Sequence, residues 1–210
     1  MQKINDIQNF IQQLSQYPSD RTVFNPYYGK EYESNIRRHN LTLYLQQMTA
    51  LNPTVLLMGE APGYKGCRKT GVPFSSEHLL RHHSFFKQRA YHFIPSSEPL
   101  TKENSATMIW DELQHWKRPP LVWNSYPYHP HLPDQAKTNR SPRQKEVLEG
   151  RVPLKQLMTL FNIEHIIAVG RKAEQQAEQL KFDHTYVRHP SFGGKQSFKQ
   201  GMKRLRIERG

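Results

Sequence analysis

The chain has 210 residues, of which 36% are hydrophobic and 11% aromatic, values that predict a single domain over 1–210 and argue against disorder. It carries 30 Lys and Arg residues against 18 Asp and Glu residues, so its formal net charge is +12. Such a charge favours nucleic acid as the partner over a membrane, for which no long amphipathic basic helix is evident. A basic protein without a polyanionic partner is the alternative.

Helices and strands are expected to alternate along the chain. In order, the apolar patterns predict helices over 4–14 and 33–51, a strand over 54–58, helices over 76–83 and 104–116, a strand over 121–123, a helix over 143–161, a strand over 165–169, a helix over 171–180 and a weaker strand over 185–187. Gly150 and Pro153 are expected to interrupt the helix over 143–161. This alternation indicates an α/β fold with a mostly parallel four-stranded sheet and helices on both faces.

Three loops of unusual composition follow strands of this sheet, at the edge where ligands bind in such folds. The first loop, 59–74, reads G-E-A-P-G-Y-K-G-C-R-K-T-G-V-P-F and holds four glycines, which allow a ligand to approach the backbone closely. Glu60 places a carboxylate directly after a buried strand. It is either a functional acid, or it caps the next turn or pairs with a Lys or Arg of its own loop.

The other two loops offer hydrogen-bonding side chains. Asn124 ends a strand and can both donate to and accept from one ligand edge, although an Asn that caps its own loop is common. His189 follows the last strand within R-H-P-S-F-G-G-K, where it suits a phosphate or base contact. Because the chain has 11 histidines, a structural role is the alternative for His189. Its position at the same sheet edge as Glu60 and Asn124 favours a functional role.

In this order the three loops resemble those of the uracil-DNA glycosylase superfamily, over about Val55 to Phe198. G-E-A-P-G is similar to the first motif of its fourth, thermostable branch, T-G-V-P-F to the single-strand-selective branch, and H-P-S to the closing motif. The resemblance implies a three-layer α/β/α sandwich. It also implies a monofunctional repair enzyme that hydrolyses the N-glycosidic bond of uracil in DNA, leaving free uracil and an abasic site without a metal or redox cofactor.

The resemblance further implies roles for single residues. Glu60 would activate the attacking water and offset positive charge on the sugar. Phe74 would stack on the flipped base, and Asn124 would read its edge. His189 would donate to O2 of the departing base, and the backbone near Ala61 would help to hold the base.

Further residues of the first and third loops complete the expected site. Gly63 and Tyr64 border the base, and Gly63 is expected to leave room for xanthine, hypoxanthine or oxidised pyrimidines. The expected DNA contacts are Arg188, Ser191, Phe192, Gly193 and Lys195. Phe192 is the expected wedge, with packing beneath its loop as the alternative. The basic residues after this loop either grip phosphates or form a solvated helix face.

The chain departs from the fourth branch in its cysteines. That branch carries four for an iron–sulfur cluster, whereas Cys67 is the only cysteine here, which excludes the cluster and any internal disulfide. The best-known branch has Asp at the position of Ala61, so the acid of this chain must be Glu60.

Two other functions are considered, and the location and oligomeric state are also predicted. A DNA-binding member without catalysis is the main alternative, whereas a phosphate cradle is disfavoured because no G-K-[ST] follows the first loop. No apolar signal segment and no run of about 18 apolar residues occur, which predicts a cytosolic protein without a membrane anchor. We expect a monomer.

Overall fold

The structure is a computed structural model that describes residues 2–209. Its strands, in chain order, are β1 (Val23–Phe24), β2 (Val55–Gly59), β3 (Leu121–Asn124), β4 (His129–Pro130), β5 (His165–Val169) and β6 (His184–Val187). Four of them form one parallel sheet in the order β3-β2-β5-β6, while β1 and β4 form a separate antiparallel pair. The parallel four-stranded sheet confirms the predicted fold class.

Helices connect the strands and cover the sheet. In chain order they are α1 (Gln2–Leu14), α2 (Tyr32–Leu51), α3 (Cys67–Thr70), α4 (Glu77–His82), α5 (Asn104–Leu113), α6 (Gln144–Phe161), α7 (Arg171–Gln179) and α8 (Lys195–Arg209). Because crossovers between parallel strands are right-handed, the β2-to-β3 connection lies on one face, and those leading to β5 and β6 lie on the other. The result is three layers. Within residues 2–209, no helix combines the length and the apolar character that crossing a bilayer would require.

The strands are apolar on both sides because both faces of the sheet are covered. Leu56 and Leu57 of β2 and Ile166 and Ile167 of β5 have no exposed surface. Burying one such side chain stabilises the fold by about 1.5–3 kcal/mol. This double burial leaves only the strand ends and their loops for chemistry.

One helix differs from its prediction in an informative way. Helix α6 runs unbroken with Pro153 inside it, so the predicted interruption at Gly150 and Pro153 is wrong. The missing hydrogen bond costs about 3 kcal/mol, which the burial of Leu154, Leu157 and Phe161 outweighs. Gly150 serves close packing instead, since a Cβ there would lie 2.5 Å from the backbone oxygen of Ser125. Helix α6 thereby supports the loop that follows Asn124.

Helix α5 is shorter than predicted. It ends at Leu113 instead of 116. It buries Ile109, Trp110 and Leu113, whereas Met108 stays partly exposed. Short segments also form that the apolar pattern did not indicate, namely α3 and the β1–β4 pair.

Candidate active site

The end of β2 brings the first two loops together. Gly59 pairs with Asn124 across the β2–β3 ladder. A Cβ on Gly59 would lie 2.1 Å from Cζ of Phe74 and 3.0 Å from Oδ1 of Asn124. The ring of Phe74 and the amide oxygen of Asn124 therefore both lie directly over Gly59. A side chain at position 59 would clash with them. Phe74 and Asn124 are two walls of one small site at the carboxyl edge of the sheet.

The first loop holds Phe74 in an uncommon backbone conformation. Its φ is +46°, in the left-handed region that residues with a side chain seldom adopt. Nε1 of Trp110 donates to the Phe74 carbonyl oxygen at 2.8 Å. Beside it, the hydroxyl oxygens of Thr70 and Ser75 lie 2.6 Å apart in a hydrogen bond. Backbone strain of this kind persists where surrounding contacts over-determine it, which is typical of ligand sites.

Hydrogen bonds from the second loop secure the turn that carries Glu60. The backbone N–H groups of Ser125 and Tyr126 donate to the carbonyl oxygens of Gly59 and Glu60, at 2.9 and 3.0 Å. The Ser125 hydroxyl donates to the same Glu60 oxygen at 3.0 Å. The half-buried Glu60 carboxylate itself forms no ion pair with any side chain of residues 2–208. The backbone is fixed while the acid stays available.

The buried side chain of His129 supports Pro62, which lies in the same turn as Glu60. Nδ1 of His129 lies 2.8 Å from the carbonyl oxygen of Pro62, and its Nε2 lies 3.2 Å from that of Ala136. Burial lowers the pKa of His129 to about 4, although both carbonyl contacts act in the opposite direction. The ring is therefore neutral at pH 7 and donates a single N–H, for which Pro62 is the closer acceptor.

The third loop passes beside the end of β5 and presents His189 as a donor. Its Cβ lies 3.2 Å from the position that a Cβ of Gly170, at the end of β5, would take. The loop is tight here, because a Cβ on Gly194 would lie 1.9 Å from the His189 carbonyl oxygen. The backbone N–H of Ser191 donates to Nδ1 at 3.2 Å. Burial and the neighbouring Arg188 lower the pKa of His189, so its ring is neutral and carries its proton on Nε2.

The tip of the third loop projects outward. Phe192 is 97% exposed and has a φ of +50°, so its packing beneath the loop is excluded. Gly193 also has a positive φ, +76°, and no atom lies within 4 Å of the place of its Cβ. Arg188 and Lys195 flank the tip and are exposed, while Ser191 is half-buried. An exposed apolar ring thus lies, in sequence, between two exposed cationic residues.

Ala61 and Tyr64 lie in the first loop and are both half-buried. The backbone N–H of Tyr64 donates to Oδ1 of Asn139 at 3.0 Å, and Nζ of Lys65 lies 5.5 Å from the centre of its ring. Through Asn139, the first loop is thereby connected to the segment that follows β4.

Sequence reasoning missed the residues that brace the first loop from other elements. Trp110 was placed in a helix without a role, and His129 and Asn139 carried no recognisable motif. Glu103 also went unnoticed, although it directly precedes the predicted helix start. Its carboxylate Oε2 lies 3.4 Å from the place of a Gly63 Cβ. No local signal marks these contacts, because each joins segments far apart in the chain.

Together these loops offer a carboxylate, an aromatic ring, an amide and a neutral imidazole donor at one sheet edge. They can stack on a flat heterocycle, read its hydrogen-bonding edge and stabilise negative charge on it. Within residues 2–209, no three His, Cys, Asp or Glu side chains are grouped so as to hold a metal ion. The carboxylate of Glu60 and the imidazole of His189 can take part in acid–base and electrostatic chemistry.

Comparisons with known proteins agree with this description. The sequence profile of the uracil DNA glycosylase superfamily matches residues 46–206. No curated protein matches the chain. Among solved structures, it is similar to the crystal structure of wild-type SMUG2 of Pedobacter heparinus, with a TM-score of 0.68 and 18% identity over 97% of each chain. That likeness shows the fold, and the profile covers well over half of the residues. The chain belongs to the uracil DNA glycosylase superfamily.

Proposed function

We propose that the protein is a monofunctional DNA glycosylase that releases uracil and leaves an abasic site. The convergence of Phe74 and Asn124 over Gly59 carries this proposal. The ring can stack on a flipped pyrimidine while the amide accepts from N3–H and donates to O4 of uracil. Cytosine presents the opposite pattern, with an unprotonated N3 and an amino donor at C4, so the amide disfavours it.

The reaction uses Glu60 and His189 on opposite sides of the scissile bond. The C1′–N1 bond breaks and its electron pair stays on the base. The water oxygen bonds to C1′ and its proton passes to the Glu60 carboxylate, which also stabilises the cationic sugar. Nε2–H of His189 donates to O2 of the uracil anion, which then takes a proton from solvent.

The third loop is proposed to hold DNA while the nucleotide is flipped. Phe192 enters the stack as a wedge, since an apolar side chain can replace an extruded base. Arg188 and Lys195 contact phosphates on either side, and the backbone of Ser191 and Gly193 lies against the strand. The net charge of +12 suits this polyanionic partner. The enzyme is proposed to act as a monomer.

Base release from oligonucleotides tests the proposal directly. The purified full chain is incubated with single- and double-stranded DNA holding uracil, hypoxanthine, xanthine or cytosine, and alkali-labile sites are measured. Glu60→Gln should lower the uracil rate by about 10²–10⁴-fold. Glu164→Gln is the matched control, because this exposed carboxylate precedes β5 at the opposite sheet edge. Binding of DNA without release of any base would instead identify a non-catalytic member of the superfamily.

A further inference from the structure

Glu103 lies against the first loop, and the proposed reaction does not use it. The residue precedes α5 and is half-buried. Its Oε2 lies 1.6 Å from the position that a Cβ of Gly66 would take and 3.4 Å from that of Gly63. The carbonyl oxygen of Ser75 lies 2.6 Å from the same Gly66 position. Two glycines of the loop therefore form a slot that the carboxyl group fills.

The Glu103 carboxyl group has few partners that could stabilise a negative charge on it. The hydroxyl of Ser105 donates to its Oε1 at 2.9 Å. No Lys, Arg or His side chain of residues 2–208 forms an ion pair with it. Burial raises the pKa of Glu103 to about 7, against the effect of Ser105. Cys67 is the titratable group that interacts with it, and burial raises the pKa of that thiol to about 12, so it adds no charge.

The location places Glu103 beside two functional parts of the first loop. Gly63 belongs to the turn that carries Glu60, and Ser75 directly follows Phe74. A side chain at position 63 would point at the carboxyl group, so the room that a glycine leaves there is bounded by Glu103. A neutral carboxyl group can donate and accept hydrogen bonds, whereas a methyl group next to it satisfies neither capacity.

We propose that Glu103 is a specificity-determining residue, whose carboxyl group closes the space beside Gly63 and excludes pyrimidines with a methyl group at C5. This inference rests on the proposed function. It differs from the expectation that Gly63 leaves room for other bases, because Glu103, the residue just before α5, occupies the space beside Gly63. Gly66 is the complementary feature, since only glycine leaves space for the carboxyl group.

The test compares release of uracil, 5-fluorouracil and thymine from single-stranded oligonucleotides under single-turnover conditions. Glu103→Ala should raise thymine release relative to uracil by about tenfold or more, the scale on which one methyl group is discriminated in a pocket. Glu103→Gln keeps the shape and should keep the wild-type ratio. Asp111→Asn is the control, because it removes an exposed carboxylate of α5 and should leave both rates unchanged.

A second variant keeps the test decisive if Glu103→Ala does not fold. In Gly63→Ala the new methyl group would lie 3.4 Å from the Glu103 carboxyl, an ordinary contact, and it would narrow the same space. It should lower 5-fluorouracil release relative to uracil by about tenfold. Unchanged base ratios in folded Glu103→Ala, or in Gly63→Ala when the former is unfolded, would overturn the proposal. A wild-type chain that releases no base contradicts the proposed function itself, which is a separate result.

Discussion

The indole N–H of Trp110 donates to the carbonyl oxygen of Phe74 at 2.8 Å, and so links the core of α5 to a wall of the site. Trp110 is 1% exposed, and Phe74 has a left-handed φ of +46°. The hydrogen bond therefore satisfies a buried carbonyl group in a segment whose conformation is costly. The position of Phe74 and its strained backbone conformation therefore depend on Trp110, which is 36 residues away in the sequence.

We expect Trp110→Phe to loosen the stacking residue. It removes the hydrogen bond and leaves a buried carbonyl oxygen unsatisfied, which should lower the free energy of unfolding by about 1–3 kcal/mol. Base release should slow as well, because Phe74 is no longer fixed over Gly59. Denaturant unfolding and single-turnover release measure the two effects.

Trp116→Phe is the matched control for this variant. Trp116 is 6% exposed and loses the same atoms, but its ring does not bond to the first loop. It should cost stability without slowing base release. Equal loss of rate in both variants would show that the hydrogen bond to Phe74 has no specific role.

Gly66→Ala should destabilise the first loop. The new Cβ would lie 1.6 Å from the Glu103 carboxylate and 2.6 Å from the Ser75 carbonyl oxygen, and the second clash is with backbone. Overpacking of this kind costs about 1–3 kcal/mol. Gly63→Ala meets its nearest atom at 3.4 Å and should cost much less. The melting temperatures of the two variants are compared by thermal unfolding, and that of Gly66→Ala should be the lower. Equal melting temperatures would contradict the close contacts at Gly66.

Acid should weaken the support that His129 gives to Pro62. Its folded pKa of about 4 lies below the usual 6.5, so the unfolded chain binds more protons between these pH values. Its contribution to stability is complete above pH 6.5 and is lost as the pH falls toward 4. The loss should reach about 3 kcal/mol, since one pKa unit corresponds to about 1.4 kcal/mol.

The variant His129→Gln isolates this effect. Glutamine can still donate to the Pro62 carbonyl but does not titrate near neutrality. The stability difference between wild type and variant should therefore shrink as the pH falls from 6.5 to 4. Glu103 also titrates in this range, because its raised pKa makes its contribution to stability fall as the pH rises from 4.5 to 7. This contribution is the same in wild type and variant and cancels when their free energies of unfolding are subtracted. A pH-independent difference would be contrary to a neutral buried His129.

Phe192→Ala should separate DNA distortion from folding. The side chain is 97% exposed, so its removal should change the free energy of unfolding by less than about 0.5 kcal/mol. Uracil release from duplex DNA should slow by about tenfold or more, because a wedge offsets part of an unstacking cost of a few kcal/mol. Release from single strands should change less, since little stacking is broken there. Equal slowing on both substrates would argue against the wedge.

The sequence by itself determined the sheet and its functional edge. The predicted strands agree with β2, β3, β5 and β6 to within one residue at each end. Short apolar runs bounded by Gly, Pro and Asn are local signals, and parallel strands bring their carboxyl ends to one edge. Glu60, Asn124 and His189 could therefore be assigned to that edge before any contact was known.

Only the tertiary structure decided how that edge is built. Trp110 of α5, Glu103 just before α5 and His129 of β4 all contact the first loop, and no sequence periodicity indicates these long-range contacts. Pro153 stays inside a helix because core packing outweighs a local penalty. The local sequence pattern determines which segments form strands. The tertiary packing of segments that are distant in the sequence determines which side chain lies beside Gly63. That space is bounded by a carboxyl group whose own sequence position carries no sign of the role.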